Sequence, residues 1–405
     1  MMGLGSIIGT GVFVSIAIGA EVAGANVILA VALAAGVATC NALSSAQLAA
    51  NHPVSGGTYE YGYRYLRPWL GFSAGWMFLC AKTASAAAAA LGFSGYLLHA
   101  TGLDLAWLPC IAAMTVVALT VVVLTGIRIS SHVNIAIVSV TLVSLLAFIV
   151  AGVPEVSPNR LQFTLAPRSL LHATALMFVA YTGYGRIATL GEEVVEPRRT
   201  IPRAIIATLV ISMALYIAVA TIYIGGSEAN GMGNVDLAAN QRTAPLEIAA
   251  RRFPVRVEWL VSIGAMTAML GVLLNLLLGL SRVLLAMGRR GDMPQQAVQL
   301  NVAVITIGLA IGAMAALLGD VRTTWSFSAF TVLIYYAVTN LAALRLARDE
   351  RLYSPFWAWG GLMACLGLAF SIESRVWMTG SAVLAAGLVW HAWHRSKYSG
   401  RLNPD

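Results

Sequence analysis

Charge is scarce in this sequence. Only 10% of its 405 residues are Asp, Glu, Lys or Arg, where soluble domains carry about 25%. A chain so poor in charge, and 59% hydrophobic, reads as an all-α polytopic membrane protein. The alternating ten-residue segments of a transmembrane barrel are missing; the apolar runs are near 20 residues, the length of a spanning helix. Paired cysteines are missing too. Cys40, Cys80, Cys110 and Cys365 stand singly in apolar stretches, so neither a disulfide framework nor a zinc site is supported. No Ser-His-Asp spacing and no phosphate loop asks for an enzyme or a cofactor. His52, His99, His132 and His172 fall near span ends and suggest no metal. No charged stretch precedes the first apolar run, so no cleavable signal peptide is expected.

What is present is hydrophobic runs punctuated by arginine. Twelve candidate spans can be drawn, at 1–20, 27–50, 69–99, 104–126, 130–153, 169–190, 203–225, 257–288, 300–319, 324–346, 355–372 and 375–394. The net charge of +8 marks topology rather than nucleic acid. One set of loops holds Arg64, Arg67, Arg128, Arg198, Arg199, Arg203, Arg289 and Arg290, while the opposite short loops hold Arg322 and Arg375, with Arg160, Arg168, Arg242, Arg251, Arg252 and Arg256 in two longer loops on that side. That bias places both termini in the cytoplasm, across the cell (inner) membrane. On the other side, residues 243–253 are expected to form a surface helix.

Two spans are interrupted. The first contains "GSIIGTGVF", residues 5–13, and the sixth contains "FVAYTGYGRIATLGEEVVEPRRTIPRAI", residues 178–205. Glycine costs roughly 1 kcal/mol against alanine inside a helix. One glycine cluster alone is equally a close-packing device. Two clusters at corresponding positions of five-span halves point instead to a transporter site at the midplane. The halves would be 1–153 and 169–346, with 355–394 as two added helices. Unwound backbone exposes polar groups that a membrane interior cannot satisfy, unless they bind a polar ligand. The start of the second half-helix, at Gly9, Thr10 and Gly11, is electropositive and suits a carboxylate. The carbonyls from Ala180 to Thr182 suit an ammonium.

At this point the chain resembles the amino acid–polyamine–organocation superfamily of permeases, with the leucine-transporter-like fold of five-plus-five inverted repeats and broken helices one and six. "GSIIGTGVF" is similar to its span-one signature. "HPVSGGTYEYGY" (52–63) with "GFSAGW" (71–76), "GEEVVEPRRTIPRAI" (191–205) and "SRVLLAMGRRGDMP" (281–294) are similar to later motifs in the same order. The resemblance implies that Ile7, Gly9, Thr10 and Gly11 bind the substrate backbone together with Ala180, Thr182 and Gly183. Tyr181 and Tyr184 would shape the side-chain pocket or simply pack. Glu193, Pro197 and Arg199 would be structural or gating residues, through pairs with loop arginines such as Arg289. The chain departs from the pattern in three places. The first half-helix has only about eight residues, because the chain starts upstream or the half-helix is short. The linker "GDMPQQAVQLNVAV" is short. Span five offers Thr141 where some proton-coupled relatives carry a lysine.

Lys82, about a dozen residues into "GWMFLCAKTASAAAAALG", is an ionisable group inside a span, which is a functional hypothesis by default. Burial disfavours its charged form. It can carry a proton, stand in for sodium, or be a snorkelling lysine. Arg186 reads as one half of a structural pair with Glu192 or Glu193. Thr267 and Asn275 are polar lining candidates for a sodium site. The expected partners are an amino acid, the lipid bilayer, and a proton or sodium ion. The reading is a secondary transporter of neutral zwitterionic amino acids, working by alternating access. A polyamine or cationic amino acid exchanger or uniporter is the alternative, and a channel or membrane amino acid sensor is the rival from another class.

Overall fold

The computed structural model describes residues 5, 7–52, 54, 56–126, 131–164, 166–185, 197–226 and 243–399. Every regular element among them is helical. The helices used below are α1 (Ile16–Ala23), α2 (Val27–Asn51), α3 (Thr58–Tyr65), α4 (Pro68–Thr101), α5 (Leu108–Leu124), α6 (Ser131–Gly152), α7 (Pro167–Tyr181) and α8 (Pro197–Gly226). They are followed by α9 (Pro245–Ala250), α10 (Glu258–Arg289), α11 (Leu300–Leu318), α12 (Val321–Leu344), α13 (Pro355–Ala369) and α14 (Ser374–Ser399). Local chemistry fixes many ends. Pro68 opens α4, and the Asp320 carboxylate caps α12 by accepting from the Thr323 amide at 2.9 Å. Gly24, with φ +56°, turns the chain between α1 and α2 where an L side chain would be strained.

Eight of the described helices are long and apolar enough to cross a membrane, or up to nine if each bent pair is one span. Twelve candidates were expected, and length accounts for the difference. Spans one and two form one run, Gly11–Asn51, with the turn at Gly24 inside it. The described part of span six, α7, has 15 residues. The last two candidates are α13 and α14, bent by 114° across a short break.

α4 and α12 form the centre. The alanines from Ala86 to Ala90 are fully buried, and such small side chains let neighbouring backbones come close. α4 packs on both α10 and α12, α10 on α4 and α6, α2 on α8, α5 on α11, and α1 on α7. α5 carries Met114, Val117 and Val121 on an exposed apolar face, as a lipid-facing helix must.

Both ends of this bundle are closed by side-chain clusters. At the arginine-rich end, Asp292 is buried. It accepts from the Tyr59 hydroxyl at 2.7 Å and the Tyr63 hydroxyl at 2.6 Å. His391 of α14 pairs with it at 3.2 Å, and Trp390 donates to its carbonyl at 3.1 Å. At the other end, the segment 243–253 forms α9, but this helix is buried rather than lying on the surface: Pro245, Leu246, Glu247, Ala249 and Ala250 are all inside. The correction has a steric cause. A Cβ on Gly95 would lie 2.5 Å from Thr243 Cβ, so the missing side chain lets the loop sink onto α4. The Glu247 carboxylate is held there by Arg251 at 2.6 Å and His99 at 3.1 Å.

Candidate functional site

Span one is irregular where the sequence placed its interruption. Ile8 and Gly9 form a bend, and Gly11–Ser15 is a π-helix before α1 begins. The Gly9 carbonyl accepts from both Val12 N–H (3.1 Å) and Phe13 N–H (3.3 Å). π-Turns are rare and frequent at functional sites. Span six is irregular too: α7 stops at Tyr181 and continues as a 3₁₀ turn, Thr182–Tyr184.

The two interruptions touch. A Cβ on Gly11 would stand 2.6 Å from Ala180 Cβ and 2.9 Å from Ala180 Cα. Gly9 lies against Val272 of α10. Thr10 is buried, and among the described residues its hydroxyl has no hydrogen-bond partner. A buried hydroxyl left unpaired costs about 1–3 kcal/mol, so this atom is suited to meet a polar ligand at the break.

Lys82 reaches the same place. It is buried on α4, and its Nζ donates to Thr182 Oγ1 at 2.7 Å. The Thr182 hydroxyl in turn donates to the Val179 carbonyl at 2.7 Å. Among the described residues no carboxylate pairs with Lys82. Tyr181 and Tyr184 are fully buried; the Tyr181 hydroxyl donates to the Val31 carbonyl of α2 at 3.3 Å, and the Tyr184 ring lies 5.6 Å from that of Tyr336.

Other expected residues lie elsewhere. Thr141 is buried, but its hydroxyl donates to Ile137 O of its own helix at 2.7 Å. Thr267 likewise donates to Ile263 O at 2.8 Å. Arg289 is exposed at the end of α10. Arg186 and Glu193, with the side chain of Arg199, lie outside the described residues.

Two tyrosines were missed. Tyr216 of α8 donates to the Ile7 carbonyl at 2.8 Å, with Ala180 O at 3.5 Å. Tyr96 of α4 donates to the Phe13 carbonyl at 3.0 Å. The available signal was a phenol within an apolar run, because a buried Tyr hydroxyl seeks a partner.

Comparison with known proteins agrees with this architecture. An uncharacterized transporter of Mycobacterium tuberculosis is 40% identical over 402 residues, covering 96% of this chain and 88% of the relative. A branched-chain amino acid permease of Bacillus subtilis is 30% identical over 345 residues, covering 79% of this chain and 72% of the relative. A human cationic amino acid transporter is 27% identical over 391 residues, covering 88% of this chain and 60% of the relative. The amino acid permease family matches residues 1–385. The chain is an integral membrane protein that belongs to the amino acid permease family.

Proposed function

We propose that this permease is a secondary transporter of neutral, zwitterionic amino acids that works by alternating access and is coupled to protons through Lys82. The observation that carries the reading is the contact of two interrupted helices at Gly11 and Ala180, beside a Thr10 hydroxyl that has no partner among the described residues. Gly9, Thr10 and Gly11 hold the carboxylate end of the cargo, with Ile7 lining the same break; Ala180, Thr182 and Gly183 hold the ammonium end. No acidic side chain joins this junction among the described residues, which disfavours a dibasic cargo. Branched-chain amino acids are the first cargo to try, given the name of the Bacillus relative. The packing supports two five-span repeats: α4 on α12 has its counterpart in α10 on α6, and α2 on α8, α5 on α11 and α1 on α7 each pair corresponding spans.

Lys82 suits a coupling role because it sits on Thr182, at the edge of the ammonium end. Gain or loss of its proton changes the charge at that point.

The test is counterflow in liposomes loaded with unlabelled L-isoleucine. Labelled L-isoleucine should accumulate inside, and L-isoleucine amide or N-acetyl-L-isoleucine should compete poorly. Equal competition by either derivative refutes the zwitterion reading. Absence of counterflow with any neutral amino acid refutes the cargo class.

A further inference from the structure

Lys82 and the amino end of the cargo claim the same oxygen. The Lys82 Nζ donates to Thr182 Oγ1 at 2.7 Å, and the Thr182 proton is committed to the Val179 carbonyl at 2.7 Å. The Thr182 oxygen is left with acceptor capacity alone, and a buried lysine already uses it.

The surrounding charges decide what a second ammonium would meet there. Helices α3, α5, α10, α11, α12 and α14 pack on α4. α5 and α11 carry no acidic or basic side chain. Glu60 and Arg64 lie on α3 at the arginine-rich end. On the remaining helices the charged groups stand toward the ends: Glu258, Arg282 and Arg289 of α10, Arg322 of α12, Arg375 and the basic run from His391 of α14. Along α4 itself the nearest titratable group is the Cys80 thiol. The titratable neighbours of Thr182 are phenols: Tyr336 donates to its carbonyl at 3.5 Å, and Tyr184 packs on the Tyr336 ring. Phenols are uncharged near neutral pH. Among the described residues, then, no carboxylate offsets a second positive charge beside Lys82.

Two donors on one oxygen stand about 4–5 Å apart at ordinary hydrogen-bond lengths. At that range, two ammonium charges away from water repel strongly enough to cost about a hundred-fold or more in affinity. We infer that the permease exchanges cargo against protons: the ammonium of the cargo displaces the proton of Lys82 at Thr182. The inference rests on the zwitterion reading and on coupling through Lys82, and it fixes the sign of that coupling. The step balances. Lys82 gives one proton to water in the open site and becomes an amine with two N–H donors and one lone pair. One N–H keeps the Thr182 contact. The lone pair accepts an N–H of the cargo, so a repulsion becomes a hydrogen bond. When cargo leaves on the other side, water there returns a proton to Lys82. Each cargo moved inward carries one proton outward. A symporter needs the opposite linkage, with the protonated form binding cargo more tightly.

The first experiment uses the full chain in nanodiscs. L-Isoleucine is titrated calorimetrically in buffers of different ionisation enthalpy, which counts the protons exchanged on binding. The wild type should release about one proton per L-isoleucine near neutral pH, and its affinity should rise with pH. Lys82→Met should bind L-isoleucine with no release; if K82M does not fold, Lys82→Gln gives the same count. Proton uptake overturns the exchange, as does a wild type that binds without any proton change, or undiminished release from the variant. The second experiment uses liposomes with the membrane potential clamped by potassium and valinomycin. An acidic lumen should drive accumulation of L-isoleucine. If an acidic exterior drives it instead, coupling to protons stands and the exchange is overturned. If neither gradient drives it, the coupling reading falls and the exchange with it. A wild type that binds no neutral amino acid overturns the cargo reading, and the inference falls with that.

Discussion

Adding one methyl group at Gly11 tests whether the two interruptions work as one unit. In Gly11→Ala the new Cβ would stand 2.6 Å from Ala180 Cβ and 2.9 Å from Ala180 Cα. Ordinary carbon contacts are at about 3.5–4.0 Å, so spans one and six must separate by about 1 Å. One of the opposing atoms is backbone, which no rotamer change can move aside. Overpacking of this kind costs about 1–3 kcal/mol. If that cost falls on the state that closes around cargo, affinity drops by about 5- to 150-fold. Counterflow of labelled L-isoleucine in liposomes reads the loss directly. The second half of the test is Gly11→Ala combined with Ala180→Gly. Removing the Ala180 methyl relieves the 2.6 Å contact but not the 2.9 Å one, so rescue should be partial, with a coupling energy above about 0.5 kcal/mol. Wild-type counterflow in G11A, or a double variant no better than G11A, would refute the contact as a functional junction.

Lys82→Met keeps length and volume but holds no proton; accumulation driven by an imposed pH gradient should vanish while exchange survives, and continued pH-driven accumulation by the variant would leave Lys82 a structural role. Thr10→Val removes a hydroxyl that has no partner among the described residues; it should raise thermal stability by about 1 kcal/mol yet weaken cargo binding by about ten-fold, and a loss of stability would show that the hydroxyl is satisfied after all. Gly95→Leu forces α9 off α4 at the Thr243 contact; maleimide labelling of a cysteine placed at Ala250, now buried, should rise by at least about ten-fold, and unchanged labelling would mean that the loop adapts without opening.

The helices were legible because the medium demands them. Apolar runs near 20 residues have one backbone solution in lipid, and the spans from α4 to α12 fall close to where the runs were drawn. The interruption in span one was legible for a related reason: "GSIIGTGVF" weakens a helix without any alternative gain. The cross-chain contacts were not legible. Nothing local distinguishes Tyr216 in "ISMALYIAVA" from a packing aromatic; only the placement of α8 beside Ile7 and Ala180 does. The burial of α9 was hidden for the same reason. The segment 243–253 was expected on the surface, whereas the decisive residue is Gly95, about 150 positions earlier. The surroundings of Thr267 were not legible either: its hydroxyl donates to the carbonyls of Ile263 and Gly264, four and three residues back in its own helix, as a hydroxyl in a helix can.

The Asp292 cluster also carries a consequence for how the protein is made. Its hydroxyl donors come from residues 59 and 63, its carboxylate from residue 292, and its imidazole from residue 391. A ribosome delivers these groups in that order, at about 5–20 residues per second. Asp292 can meet both tyrosines as soon as α10 is inserted, but its other oxygen waits for roughly the last quarter of the chain. During that interval the carboxylate sits at the membrane edge half-paired, where an unpaired ion is expensive to bury. The arrival of His391 and Trp390 is thus what makes burial of the cluster favourable. α14 then acts as the closing step of assembly, and a chain cut before residue 390 would present quality control with an open, charged seam at the arginine-rich end.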